Sequence, residues 1–147
     1  MSSFMYDLWQ KVNGPKTIWT NGCFDILHRG HIELFKYARS LGDSLYVGID
    51  SDEKVARDKG PGRPFNNLND RRLMLESIKY IDKVFVFHDD KDLSALIKMV
   101  QPEVMVVGSD WKGKRVVGQE HSERIEFFKR IGGYSTTKIL KWKNPKS

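Results

Sequence analysis

Apolar residues along this chain fall alternately in short continuous runs and in helix-spaced sets, and that alternation predicts its secondary structure. Lys16 to Thr20 reads as a first strand. Ile32, Leu34, Phe35, Ala38 and Leu41 then recur at helical spacing until Gly42 stops the helix. Ser44 to Ile49 is a β-branched and aromatic strand, Leu73, Leu75 and Ile78 pattern a helix from Asp70 to Tyr80, and Val84 to Phe87 returns to strand. Asp92 to Val100 predicts a short helix capped by Asp92 and closed before Pro102, and Val104 to Val107 another strand. Arg124 to Arg130 alternates imperfectly. Strand is the better reading there, because Gly132-Gly133 precedes a fresh helix start with Ser135 at its N-cap. Phe4, Leu8, Trp9 and Val12 predict an amphipathic helix within an N-terminal extension, residues 1–15, packed on a single domain of residues 16–147. The strands are apolar almost throughout, as strands are when helices cover both faces. The pattern therefore predicts an α/β fold, a doubly wound, mostly parallel sheet with right-handed crossovers.

Composition narrows the class. At 147 residues and 39% hydrophobic content the chain suits one globular domain with a core. Its longest apolar runs are strand-length, and Met1 to Pro15 lacks the apolar stretch of a signal peptide, so no membrane partner and a cytoplasmic location are expected. The single cysteine excludes an internal disulfide and fits a reducing compartment. A net charge of +6 permits either nucleic acid or a small polyanion such as a nucleoside triphosphate. Four lysines between Lys138 and Lys146 read as a solvated end. Arg57, Lys59, Arg63, Arg71, Arg72 and Lys79 instead surround Gly60-Pro61-Gly62, and a basic loop of that kind suits phosphate better than a DNA groove. No nucleic-acid partner is expected.

The chemistry is concentrated in Asn21-Gly22-Cys23-Phe24-Asp25-Ile26-Leu27-His28-Arg29-Gly30-His31, a glycine turn and helix start directly after the first strand. Backbone N–H groups in the first turn of a helix attract anions, and ligands of open parallel sheets gather where strands end. Residues three apart share a helix face, so His28 and His31 can donate to one phosphate, with Gly30 leaving room for it. The alternative for an isolated His-x-x-His is one histidine capping the helix and the other at the surface. Zinc is a weaker reading, because two histidines and one cysteine supply neither the ligand count nor the spacing of a structural site. A dinucleotide site is disfavoured too, since no Gly-x-Gly-x-x-Gly follows the first strand.

With Gly22-x-Phe24-Asp25-x-x-His28-x-Gly30-His31 near the start and Gly133-x-Ser135-Thr136-Thr137 near the end, the chain resembles the cytidylyltransferase-like family of nucleotidyltransferases across residues 16–141. Gly42-Asp43, Asp50-Ser51-Asp52, Arg71 and Gly108-Ser109-Asp110-Trp111 extend the likeness. Asp110-Trp111-Lys112-Gly113-Lys114 looks like the glycerol-3-phosphate cytidylyltransferases, which favours CTP and a polyol phosphate. Thr20-Asn21-Gly22-Cys23-Phe24-Asp25 and Gly62-Arg63-Pro64 look like the adenylyltransferase domain that makes ADP-heptose, which is the alternative.

The resemblance implies a Rossmann-like five-stranded sheet, a homodimer, and transfer of NMP from an NTP to a small phosphorylated acceptor with release of pyrophosphate. It implies Mg²⁺ arriving with the NTP and no metal site of the protein's own. By the same likeness His28, His31 and Arg130 are catalytic, and Gly22, Cys23, Phe24, Asp25, Lys59, Asp110, Ser135 and Thr136 bind nucleotide. Arg57, Arg63, Arg71, Lys79 and Trp111 bind the acceptor or phosphate. Asp25 either orients a histidine or a Mg²⁺ ion, or merely caps the helix. Arg71 is a phosphate ligand or a surface charge, and Trp111 stacks on a base or lies buried under the sheet edge.

Overall fold

The computed structural model describes residues 2–130 and 132–143. Eleven principal elements follow one another among them: α1 (Ser3–Asn13), β1 (Thr17–Gly22), α2 (Arg29–Ser40), β2 (Ser44–Asp50), α3 (Asp52–Lys59), α4 (Leu68–Glu76), β3 (Lys83–Phe87), α5 (Asp90–Val100), β4 (Val104–Gly108), β5 (Arg124–Phe128) and α6 (Thr136–Lys143). The five strands form one sheet in the order β3-β2-β1-β4-β5, and every pairing is parallel.

Side chains of β1 alternate between two apolar layers, as the twofold period of a strand requires. Ile18 joins Phe35 and Ala38 of α2 and Leu75 of α4. Trp19 points the other way, to Phe87, Met105 and Leu93 and Ile97 of α5. Helices thus cover both faces, and the apolar runs in β1, β2 and β4 follow from that burial. The connection order reverses between β1 and β4, which opens a crevice at their C-terminal ends.

Where the elements differ from the pattern-based expectation, the reasons are local. Helix α3 was not visible as apolar periodicity, because Val55 is its one buried residue. Its start is a polar signal, Ser51 Oγ accepting from the Lys54 amide at 3.2 Å with Asp52 and Glu53 in the first turn. Helix α5 begins before Asp92. Asp89 is the cap, accepting from the Asp92 amide at 2.7 Å, and Asp92 lies in the first turn. Helix α4 runs from Leu68, capped by Asn67, and stops at Glu76 short of Tyr80.

Helix α1 forms as expected, but it is not packed on the domain. Phe4, Leu8, Trp9 and Val12 are all exposed, and an ion pair of 3.3 Å joins Lys11 to Glu123. Periodicity defines an apolar face without specifying what covers it. Lys146, at the end of the basic tail, lies outside the described residues. Among the described residues no helix is long and apolar enough to cross a membrane.

Candidate active site

The turn after β1 folds onto itself through its histidines. His28 is the N-cap of α2, and its Nδ1 accepts from the Gly30 amide at 3.1 Å. In return His31 Nδ1 accepts from the His28 amide at 3.2 Å, which completes a reciprocal capping box. A backbone amide is only a donor, so each Nδ1 must present its lone pair, and each neutral ring carries its proton on Nε2. Capping and phosphate donation were alternatives in the sequence; capping occupies Nδ1 of each ring and leaves the opposite nitrogen as an N–H donor. Gly30 makes room for the cap: a Cβ there would come within 2.9 Å of the His28 ring.

The rings stack with centroids 3.8 Å apart. Phe24, at φ 48°, buries its ring edge-on to His31 at 5.4 Å and to Phe35 at 5.1 Å, so the pair stands on the core. Burial, then the neighbouring His28 and Arg130, push His31 down to about 4. Burial and Arg130 also lower His28. Near neutral pH His31 is therefore a neutral N–H donor.

The far end of the chain closes on this turn. Thr136 Oγ donates to the Ile26 carbonyl at 2.9 Å, and Tyr134 stacks on His28 with centroids 6.0 Å apart. Ser135 Oγ accepts from the Lys138 amide at 3.0 Å and caps α6. Between the two motifs lies a cleft of about 430 Å³, bordered by His28, His31, Lys59, Arg63, Asp110, Trp111, Arg130, Ser135 and Thr136 together with Gly22, Cys23, Phe24 and Asp25. That size suits a small-molecule ligand. Trp111 is 48% exposed on its rim, so the buried alternative is excluded.

Two expected site residues, Arg71 and Lys79, need correction, and two others, Asp25 and Arg57, have partners within the protein that the sequence did not show. Asp25 neither orients a histidine nor caps α2. Its buried carboxylate accepts from the Phe65 and Asn66 amides, both at 2.8 Å, and from Arg63 Nε at 3.2 Å, and so anchors the loop after α3. Arg71 is neither a surface charge nor a phosphate ligand. Its guanidinium is buried and donates to the carbonyls of Asn66, Cys23 and Asp50 and to Asp52. Lys79 sits over the Tyr80 ring in the turn leading to the N-terminal end of β3, whereas the cleft opens at the C-terminal strand ends. Arg57 donates to the His88 carbonyl at 2.6 Å and borders an adjoining cavity rather than this cleft. Of the basic residues around the glycine loop, Lys59 and Arg63 border the cleft and Lys79 does not. Tyr134 was not anticipated, and only its place beside Gly133-x-Ser135 would have marked it.

Among the described residues no three His, Cys, Asp or Glu side chains gather as a metal cage. Cations, hydroxyls, imidazole N–H groups and a helix N-terminus make a donor set for phosphate.

A crevice at the strand-order reversal, lined by phosphate donors from both ends of the chain, is a site built to hold a phosphorylated ligand. The chain belongs to the cytidylyltransferase-like family, whose model matches residues 19–141. It is 44% identical over 130 residues to the bifunctional protein HldE of Sulfurimonas denitrificans, covering 88% of this chain and 27% of that protein. Against the HldE of Helicobacter hepaticus it is 41% identical over 136 residues, 92% of this chain and 28% of the relative. The chain thus spans little more than a quarter of the length of these relatives. Among solved structures, the lipopolysaccharide core biosynthesis protein of Thermoplasma volcanium superposes with a TM-score of 0.64 at 28% identity, covering 83% of this chain and 100% of that one. Pantothenate synthetase of Thermus thermophilus, with a TM-score of 0.58 at 14% identity over 84% of this chain and 61% of its own, shares the fold.

Proposed function

We propose that this chain transfers AMP from ATP to a sugar 1-phosphate of the heptose type, releasing pyrophosphate. The observation that carries the transfer reaction is the Thr136 to Ile26 hydrogen bond, which brings the N-terminus of α6 and the histidine pair to one cleft. The adenylyl branch is supported by the Thr20 to Asp25 and Gly62 to Pro64 segments, by 41–44% identity to the HldE proteins, and by likeness to the lipopolysaccharide core protein. A CTP-dependent polyol-phosphate reaction is the second reading, favoured by Asp110 to Lys114.

In either case an anionic oxygen of the acceptor phosphate attacks the α-phosphorus, and the bond from that phosphorus to the bridging oxygen breaks. The electron pair leaves with pyrophosphate. The attacking oxygen is already ionised, so the residues need to align and stabilise charge rather than abstract a proton. His28 and His31 donate Nε2–H to the transferring phosphates, and their neutral ground state spares them a tight complex with the triphosphate before charge shifts to the leaving group. The Ser135 hydroxyl, the Thr136 amide and the other free amides of α6 hold the outer phosphates, while Arg130 and Lys59 neutralise pyrophosphate. Mg²⁺ fits as a counter-ion carried by the triphosphate; it screens phosphate charge, and the cleft's own side chains bind the phosphates around it.

The test is pyrophosphate release from each of four NTPs with heptose 1-phosphate, other sugar 1-phosphates and glycerol 3-phosphate. Turnover with ATP and a sugar 1-phosphate is expected. Turnover confined to CTP and glycerol 3-phosphate favours the second reading, and none with any pair defeats both.

A further inference from the structure

A second cavity, of about 760 Å³, adjoins the first. Gly22, Cys23, Lys59, Trp111 and Arg130 border both. Its floor is made by the ends of β1, β2, β3 and β4 and its walls by α3, the start of α5 and the segment after β4. At the end of β2 stands Asp50, whose backbone carbonyl is held by Arg71 at 2.7 Å. Its side chain is only 13% exposed, with Lys54 Nζ at 3.8 Å, and that ammonium is drawn to Asp58 at 2.6 Å instead. Among the described residues the Asp50 carboxylate accepts no hydrogen bond. Burial pushes its carboxyl up from the ordinary carboxylate range, against the opposing pull of Lys54. A carboxylate largely stripped of water and lacking a donor is stabilised by any O–H group that reaches it.

The reaction proposed above puts the acceptor's phosphate beside the histidine pair. The rest of the acceptor must then leave the triphosphate's track, and the shared border makes the second cavity the adjoining space. We propose that this cavity is the subsite for a polyhydroxylated acceptor and that Asp50 is a specificity-determining residue, accepting hydrogen bonds from sugar hydroxyls; the inference rests on the sugar-phosphate reading. Asn21 adds a complementary group. Its Oδ1 accepts from the Trp19 indole at 2.9 Å, which leaves its N–H2 to donate to sugar oxygens. An acceptor that brings few hydroxyls leaves Asp50 without a donor, and a site built to bond a hydroxyl rejects the analogue lacking it.

Steady-state kinetics of Asp50→Asn against the unaltered protein test this, alongside a series of acceptor sugar phosphates each lacking one hydroxyl. Asp50→Asn is expected to raise the acceptor KM by about tenfold or more, with the ATP KM unchanged. In the unaltered protein at least one deoxy acceptor is expected to lose about tenfold or more in kcat/KM, and that loss shrinks in the variant. An unchanged acceptor KM, or a deoxy series that reacts uniformly in the unaltered protein, overturns the subsite; the second result holds even if the variant fails to fold. Absence of pyrophosphate release from the unaltered protein with every sugar phosphate instead defeats the reading beneath it.

Discussion

Thr136 donates its hydroxyl to the carbonyl of Ile26 at 2.9 Å, across 110 positions of sequence. The bond ties the first turn of α6 to the loop that leads into His28. Replacing Thr136 with the near-isosteric Val removes the donor and leaves a half-buried carbonyl unsatisfied, at a cost of about 1–3 kcal/mol. Thr136→Val is expected to raise the NTP KM and lower the melting temperature together, whereas Thr136→Ser keeps the bond and spares both.

His28 has two functions that mutation can separate. Asn is a good N-cap but offers no Nε2–H in the cleft. His28→Asn should therefore lower kcat by about a hundredfold with little change in thermal stability, and His28→Ala should lower both, by about 1 kcal/mol in stability. Equal turnover of His28→Asn and the unaltered protein, measured by pyrophosphate release, contradicts the donor role.

Arg71 supports the site from behind it. Its removal strands the carbonyls of Asn66, Cys23 and Asp50 and the carboxylate of Asp52. Arg71→Met is expected to destabilise the fold by about 3 kcal/mol or more in urea unfolding, because several buried acceptors lose their partner at once. A variant of unaltered stability with only a raised acceptor KM restores the phosphate-ligand role.

His31 makes stability depend on pH. Its value falls from the ordinary 6.5 to about 4 in the folded protein. Across that window the unfolded chain binds more protons than the folded one, so stability rises with pH and levels off above the upper limit. Urea midpoints measured at about pH 5 and about pH 7 should differ in that direction, and His31→Gln should flatten the difference.

Arg130 faces the cleft from an exposed position and acts on both imidazoles through its charge. Arg130→Ala is expected to raise the NTP KM and to move the His28 titration upward, the latter read by NMR. A His28 titration that stays in place removes Arg130 from the electrostatics of the pair.

Most of the sheet was legible, because strands buried on both faces must be apolar and their runs are interrupted by glycine, aspartate and proline. Helix α3 was not, since a helix lying over the surface with Val55 alone buried leaves almost no apolar period. The histidine pair and Ser135-Thr136 were legible as motifs. Asp25 and Arg71 carry one lesson: sequence shows a charge, but whether that charge meets a ligand or the chain's own backbone depends on burial. Lys79 failed for a related reason, as the turn after α4 carries it toward the opposite end of the sheet from the cleft.

By itself the sequence determined the alternation of strand and helix, the turn after β1 with its paired imidazoles, and the capping hydroxyl at the last helix. Those are properties of neighbouring residues, set by periodicity and local hydrogen bonding. Tertiary structure alone decided that His28 and Thr136 face one cleft, that Arg71 and Asp25 are internal ties, and that Asp50 looks into a second cavity. Such relationships depend on the order in which strands enter the sheet, a non-local choice fixed by burial of whole faces rather than by any one segment.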